Sequence, residues 1–160
     1  MSQVVFYIIQ EQQANPNNMV SEHFAYACSL ASFFYLQNKK VFIYTDNQQD
    51  AFAIDEYLWQ FDGDSFVPHN LLGEGPRFGT PVEISWQAAT HPRPIWINLS
   101  THAPECAINF QHIVDFVPFS EELKIAARTR YSAYKKMGLT LSTQSVVNNN
   151  PVELTNYTED

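Results

Sequence analysis

The sequence VVFYII spans Val4–Ile9, and a second run of the same kind, KVFIY, spans Lys40–Tyr44. Both runs are short and rich in β-branched and aromatic residues, which is typical of strands buried inside a sheet. Apolar residues recur at helical spacing over residues 21–37, where Ser21 is placed to cap the helix, and again from Asp46 or Asn47 to about Trp59. This β-α-β-α opening predicts a three-layer α/β domain with parallel strand pairing.

The rest of the chain continues the alternation after one interruption. Residues 61–80 contain two prolines and four glycines and are predicted to form a long ordered loop. Three further strands are predicted, and a final helix follows that opens at Ser120 and ends at Gly138. The three strands are Val82–Trp86, Ile95–Leu99 and His112–Val117. We expect residues 1–147 to form one α/β domain and the polar residues 148–160 to be a disordered tail.

Length, charge and cysteine content exclude several classes of protein. With 160 residues the chain suits one domain, and its formal net charge of -8 argues against nucleic acid as the main ligand. The chain has only Cys28 and Cys106, without a CxxC pair, so a thiolate metal site is not expected. The first residues show neither a basic region nor a long apolar run, so we expect a cytoplasmic protein without membrane contact.

A search for catalytic and cofactor motifs finds none. The turn after the first predicted strand contains no glycine, although the dinucleotide fingerprint G-x-G-x-x-G needs glycines there for close backbone approach to a pyrophosphate. A nucleotide-binding enzyme of this fold class is therefore disfavoured. The histidines, among them His23 and His112, are not paired at metal-ligand spacing, and no G-x-S-x-G motif is present. We expect no catalytic residue, no cofactor and no metal.

The predicted final helix carries most of the positive charge. Five of the nine basic residues fall between Lys124 and Lys136, whereas residues 1–122 carry 14 acids and 4 bases. A helical projection gives one stripe made of Lys124, Arg128, Tyr131 and Lys135. Arg130 falls on the apolar side, where it would either snorkel to solvent or pair with a buried acid. Two interpretations stay open for the stripe: an ordinary solvated helix face, or a surface for an anionic partner such as an acidic peptide with an apolar end.

A second cluster is aromatic. Residues 57–61 (YLWQF) and 65–72 (SFVPHNLL) place several large apolar side chains at a helix end and in the loop that follows. These side chains either close the edge of the core or form a docking patch for a protein, where aromatic anchors are common.

These regions together resemble the chi subunits of bacterial DNA polymerase III. The motifs that carry the resemblance are the FYII start, DEYLW (Asp55–Trp59), SFVPHNLLGEGPR (Ser65–Arg77), PVEISW (Pro81–Trp86), VDFVP (Val114–Pro118) and LKIAARTRYSAYKKMG (Leu123–Gly138). The likeness extends to about Thr143, and the chain from Val146 onward continues beyond it. The resemblance implies a Rossmann-like domain, with a mostly parallel sheet and helices on both faces, that has no nucleotide site and no enzymatic activity.

The resemblance also implies two partners. One surface would bind the psi subunit, which ties chi to the clamp loader, and a separate surface would bind the acidic C-terminal tail of the single-stranded-DNA-binding protein. DNA contact would then be indirect. The implied tail-binding residues are Val117, Lys124, Arg128, Tyr131, Lys135, Met137, Gly138 and Thr143. The implied psi-docking residues are Trp59, Phe66, Pro68, His69 and Leu71. An alternative reading of the same basic helix is a domain that binds nucleic acid directly.

Overall fold

A seven-stranded parallel sheet organises the part of the chain that the computed structural model describes, namely residues 2–9, 21–60, 67–71, 80–87 and 93–146. The elements in chain order are β1 (Gln3–Ile9), α1 (Glu22–Leu36), β2 (Val41–Tyr44), α2 (Gln48–Trp59), β3 (His69–Leu71), β4 (Val82–Ser85), β5 (Ile95–Asn98), a short 3-10 helix (Glu105–Asn109), β6 (His112–Val117), α3 (Glu121–Lys136) and β7 (Thr140–Val146).

The strands lie in the order β3-β4-β2-β5-β6-β1-β7, and each neighbouring pair is parallel. The first strand of the chain therefore lies next to the last, between β6 and β7. Phe6 is in register with Asp115 on one side and with Thr143 on the other. Because strands paired in parallel point the same way, α3 must run antiparallel to them in order to connect β6 with β7.

Two buried clusters cover the two faces of the sheet. Val5, Tyr7 and Ile9 of β1 pack with residues of α1 and α2, whereas Val4 and Phe6 pack with residues of α3 and the 3-10 helix. This alternation is the period of two that a strand buried on both faces requires. The predicted three-layer α/β architecture is thus confirmed.

The predicted helix ends are also confirmed. The side chain of Asn47 accepts a hydrogen bond from the Asp50 amide, and that of Ser120 accepts one from Leu123. Ser21 occupies the capping position of α1, although its side chain makes no capping hydrogen bond. Gly138 follows α3 with a φ of 84°, the left-handed conformation that glycine adopts without strain from a Cβ.

Three elements were not predicted from the sequence. Residues 69–71 form β3 inside the predicted loop, the chain around Cys106 forms a 3-10 helix, and residues 140–146 form β7. A three-residue strand is too short to show a periodic pattern, and β7 is an edge strand of mostly polar residues. The predicted turn at residues 15–18, most of the predicted loop and the predicted disordered tail lie outside the described residues.

One of the two cysteines, Cys28, is a core residue. Cys28 is fully buried on α1, and burial strongly raises the pKa of its thiol, so it stays protonated and unreactive. Within the described ranges, histidines, cysteines and acids form no cluster of three that could hold a metal ion. None of the helices described is both long and apolar enough to cross a membrane.

Candidate protein-docking surfaces

A buried ion pair fixes α3 against the sheet. Arg130 is only 6% exposed, and its Nη2 lies 3.0 Å from Oδ1 of Asp115 on β6. The Arg130 Nε donates to both carboxylate oxygens at 3.1 Å, and its Nη2 also donates to the Phe116 carbonyl at 2.9 Å. Of the two fates predicted for Arg130, the structure therefore shows pairing with a buried acid. The register of α3 over β6 follows from this pair.

Two neutral side chains complete the hydrogen bonding of Asp115. The Tyr134 hydroxyl donates to Oδ2 at 2.8 Å, and the Asn98 amide donates to the same oxygen at 3.1 Å. Burial and the neighbouring carboxylate raise the pKa of Tyr134 well above its usual value, so the phenol remains a donor. A buried carboxylate is tolerated only when its lone pairs are satisfied in this way.

The exposed face of α3 carries the predicted stripe of Lys124, Arg128, Tyr131 and Lys135, which we call the α3 surface. Lys124 lies 5.2 Å from the centroid of the Phe119 ring and 3.7 Å from a Glu121 carboxylate oxygen. Arg128 and Lys135 are exposed, and no acid of the described chain lies within 4 Å of either. Their charges are thus available to an anionic partner, while Lys124 is partly offset by Glu121.

An aromatic residue of this stripe, Tyr131, packs on the sheet through a tilted ring contact with Phe6. The Tyr131 and Phe6 rings lie 5.4 Å apart, and Tyr131 remains 37% exposed. Thr143 is paired with Phe6, and Val117 is paired with Ile8, so both side chains point to the same face of the sheet as α3. Tyr131, Val117 and Thr143 therefore lie on the same face of the sheet.

The predicted tail-binding residues are spread along α3 rather than gathered in one pocket. Val117 ends β6 at the C-terminal edge of the sheet, while Met137 and Gly138 follow α3 at the opposite edge, where β7 begins. Lys124 and Lys135 are separated by about 16 Å along the helix axis at 1.5 Å per residue. The α3 surface is long enough for an extended peptide of several residues.

The second predicted surface contains Trp59, Phe66, Pro68, His69 and Leu71, and we call it the Trp59 surface. Trp59 is 60% exposed and packs edge-on to the His69 ring at 5.0 Å. The His69 ring lies 2.7 Å from the Val67 carbonyl oxygen and 3.3 Å from an Asp55 carboxylate oxygen. Phe66 lies outside the described residues.

Burial separates the members of the Trp59 surface. His69 and Leu71 are buried, so they support the core edge, whereas Pro68 is half-buried. Of the described members, Trp59 presents the largest apolar area, and His69 holds its ring in place. A large exposed aromatic on a rigid support is typical of an interface anchor.

The two surfaces lie at opposite ends of the sheet. The Trp59 surface adjoins β3, which is the first strand in the sheet order, and the α3 surface lies over β1, which is the sixth and where Tyr131 packs on Phe6. Five interstrand steps of about 4.8 Å separate these two strands by about 24 Å. The two surfaces share no residue.

Sequence reasoning missed two rings beneath the α3 surface. Phe6 supports Tyr131, and Phe119 lies under the Lys124 ammonium. Phe6 was assigned to a strand from its pattern, but periodicity carries no information on which distant helix packs above it. Phe119 stands five residues before Lys124, outside the helical stripe that the projection examined.

Comparison with known proteins gives the family. A sequence model of the family described as DNA polymerase III chi subunit, HolC, matches residues 1–142. This chain belongs to the DNA polymerase III chi subunit family. The chi subunit from Escherichia coli K12 is 38% identical over 145 residues, which cover 89% of this chain and 97% of that protein. The chi subunit from Haemophilus influenzae Rd is 41% identical over 143 residues, covering 88% and 95%.

Membership of the chi family makes this protein an accessory subunit of DNA replication. The family match includes all of α3, the Asp115–Arg130 pair and the Trp59 surface. Both candidate surfaces therefore lie within the part of the chain that matches the chi family. The match stops at residue 142, inside β7. The last part of the chain therefore continues beyond the chi family match.

Proposed function

We propose that this chi-family protein is a non-catalytic adaptor of the replication machinery. In this proposal the α3 surface binds the acidic C-terminal tail of the single-stranded-DNA-binding protein. The Trp59 surface binds the psi subunit, which connects the protein to the clamp loader. The family membership supports the replication context, and the opposite placement of the two surfaces supports a bridging role.

One observation carries the tail-binding half of the proposal. Arg128 and Lys135 are exposed, have no acid within 4 Å in the described chain, and flank Tyr131, whose ring is fixed on Phe6. If this helix face only contacted solvent, it would not need an aromatic ring, packed on Phe6, between its two cations. Cations beside a fixed aromatic suit a peptide that combines carboxylates with an apolar residue.

The contacts of the bound tail follow from this arrangement. Its apolar side chain packs on Tyr131, and its carboxylates pair with Lys124, Arg128 and Lys135. The footprint is small and the ion pairs are exposed, so affinity should be micromolar-class and should fall as salt is added. Lys135 supplies charge as a point cation, without the planar fork of an arginine.

The decisive experiment is a titration of the purified protein into a labelled Asp-rich peptide ending in Pro-Phe, followed by fluorescence anisotropy. We expect saturable binding that weakens with salt, and a Kd raised about 5-fold or more by Arg128→Ala, because one charge-assisted contact contributes roughly 1 kcal/mol. Lys135→Ala should weaken binding as well. Lys136→Ala is the matched control, since the next residue points about 100° away around the helix.

Three results would count against this function. Equal affinity for the wild type and Arg128→Ala would place the peptide elsewhere, and absence of binding by a folded protein would remove the α3 surface as a tail site. Binding of labelled single-stranded DNA at physiological salt, without any partner, would favour the nucleic-acid-binding alternative.

A further inference from the structure

The exposed stripe of α2 carries a second aromatic residue in line with Trp59. Phe52 stands seven residues before Trp59, which is about 10.5 Å along the helix axis and only about 20° around it. Phe52 is 45% exposed and Trp59 is 60% exposed. Single exposed apolar side chains are common on protein surfaces, but two aromatic rings aligned on one helix form an apolar strip, which is typical of a docking surface.

Each of these rings packs on a second ring at the same side of the sheet. Phe52 lies edge-on to Trp86 at 6.1 Å, and Trp86 follows β4 and is itself half-buried against the core. Trp59 lies edge-on to His69 of β3, the strand next to β4. Both exposed rings therefore have fixed supports, so little side-chain freedom is lost when a partner covers them.

The charge of this helix is negative. α2 contains three acidic residues and no lysine or arginine, and residues 41–76 of the sequence hold seven acids and neither basic type. Glu56 is exposed and stands four residues after Phe52 and three before Trp59, so it lies between the two rings. No lysine or arginine of the described chain lies within 4 Å of Glu56. The stripe thus complements a basic, apolar partner and repels an acidic one.

We propose that the Trp59 surface continues along α2 to Phe52 and that it receives an amphipathic helix with lysine or arginine beside its apolar face. This inference rests on the proposed function, because it names the chemistry of the segment through which psi is held. Apolar residues seven positions apart on such a helix are also about 10.5 Å apart, so they meet Phe52 and Trp59 together. A cation between them reaches Glu56. The two surfaces of the molecule then take partner segments of opposite charge, which keeps the partners from exchanging places.

The test measures the affinity of purified, labelled psi for the full-length protein by fluorescence anisotropy. We expect Phe52→Ala to raise the Kd about 5-fold to 10-fold, and Phe52→Leu to raise it less, because leucine keeps most of the apolar area. Glu56→Lys should raise the Kd about 5-fold at low salt and only slightly at about 0.5 M salt, where exposed charges are screened.

Two variants outside the surface are matched controls. Ile125→Ala removes an exposed apolar side chain from α3, and Glu105→Gln removes an exposed acid from the 3-10 helix. Both should bind psi as wild type does, and thermal unfolding should show that every variant is folded. Wild-type affinity for psi in Phe52→Ala would overturn the extension along α2, and wild-type affinity in Glu56→Lys at low salt would overturn the basic partner.

A synthetic helical peptide separates this proposal from psi binding itself. The probe carries leucines seven residues apart with lysines and arginines beside them, and the comparison peptide carries glutamates in place of these cations. If psi does not bind but the basic peptide does, and Phe52→Ala and Glu56→Lys weaken it, the psi function is wrong and the inferred surface stands. If Trp59→Ala weakens psi binding but Phe52→Ala and Glu56→Lys do not, the function stands and the extended surface is wrong.

A second copy of the chain is the competing occupant, because the basic α3 surface also complements an acidic stripe. Sedimentation equilibrium of the wild type should give the mass of a monomer at every concentration. A mass that rises with concentration in wild type but not in Phe52→Ala would assign the stripe to self-association and overturn the proposal.

Discussion

Two arginines separated by one residue on α3 have opposite environments. Arg128 is exposed and without an acidic neighbour within 4 Å in the described chain, whereas Arg130 is buried against Asp115 with hydrogen bonds to both carboxylate oxygens. A step of two residues turns a helix by about 200°, which places one arginine on the sheet and the other in solvent. One residue type thus serves attachment of the helix and recognition of a partner.

Replacement of each arginine by alanine should separate these roles. Arg130→Ala leaves Asp115 buried without its cation, so we expect the free energy of unfolding in urea to fall by about 3–5 kcal/mol. Arg128→Ala removes an exposed side chain and should change stability by less than about 0.5 kcal/mol while weakening peptide binding. Similar stability losses for the two variants would show that the Asp115–Arg130 pair does not hold the helix.

His23 is a second residue whose environment sets its chemistry. Its ring packs near Phe24 at 4.8 Å and Phe116 at 6.3 Å, and burial, with a smaller effect of the Arg130 charge, lowers its pKa to about 4. The folded protein therefore holds His23 neutral at a pH where the unfolded chain is protonated. Because the unfolded state then binds more protons, stability falls as pH decreases from about 6.5 to about 4.

The pH dependence gives a measurable expectation. Between pH 7 and pH 4.5, His23 should account for a loss of roughly 2–3 kcal/mol in the free energy of unfolding. His23→Gln cannot titrate, so the decrease measured by urea unfolding should be smaller by about that amount. A variant with the same pH profile as wild type would assign the loss to carboxyl groups instead.

At the scale of the elements, the end of α3 is set by the left-handed backbone conformation of Gly138 and not by side-chain packing at that residue. Gly138 has a φ of 84°, and a Cβ placed there would meet no atom within 4 Å. The space is open, so the conformation alone disfavours other residues. Gly138 also turns the chain toward β7, which begins two residues later at Thr140.

Substitution of Gly138 should therefore cost backbone energy and nothing else. We expect Gly138→Ala to lower the midpoint of thermal unfolding in proportion to a loss of about 1 kcal/mol, and Gly138→Asn to lose less, because asparagine tolerates the left-handed conformation. An alanine variant as stable as wild type would mean that the turn after α3 relaxes to another conformation.

An element can be predicted from the sequence when its packing produces a local pattern of apolar and polar residues. The buried strands β1, β2, β5 and β6 are nearly continuous apolar runs, and α3 shows its cap, its stripe and its terminal glycine. β7 has one neighbour and few apolar residues, so its pairing with β1 is decided by the whole sheet. The same holds for Tyr131, whose support by Phe6 joins residues far apart in the chain.

At the scale of the whole molecule, the sheet keeps the two candidate surfaces apart. Trp59 and Arg128 lie near opposite edges of a sheet whose interior strands are buried on both faces. Neither surface needs the other for its structure. A rigid spacer of this kind can hold two partners without coupling their affinities.

Independence of the surfaces can be measured directly. Trp59→Ala should weaken binding of purified psi by about 10-fold or more, as expected for an exposed aromatic anchor, and leave the affinity for the acidic peptide unchanged. Arg128→Ala should show the reverse pattern, and the double variant should show both losses without interaction. A change of peptide affinity in Trp59→Ala would indicate coupling through the sheet.

The position of β1 between β6 and β7 has a consequence for how the protein is made. Gln3–Ile9 is synthesised first, yet its partners in the sheet are His112–Val117 and Thr140–Val146. At about 5–20 residues per second, the ribosome needs several seconds more before both partners exist. During that interval an apolar strand has no neighbour, and pairings between distant segments are slow to form. Folding of this domain is therefore expected to finish only after residues 140–146 have been synthesised, with VVFYII as the segment that chaperones would protect until then.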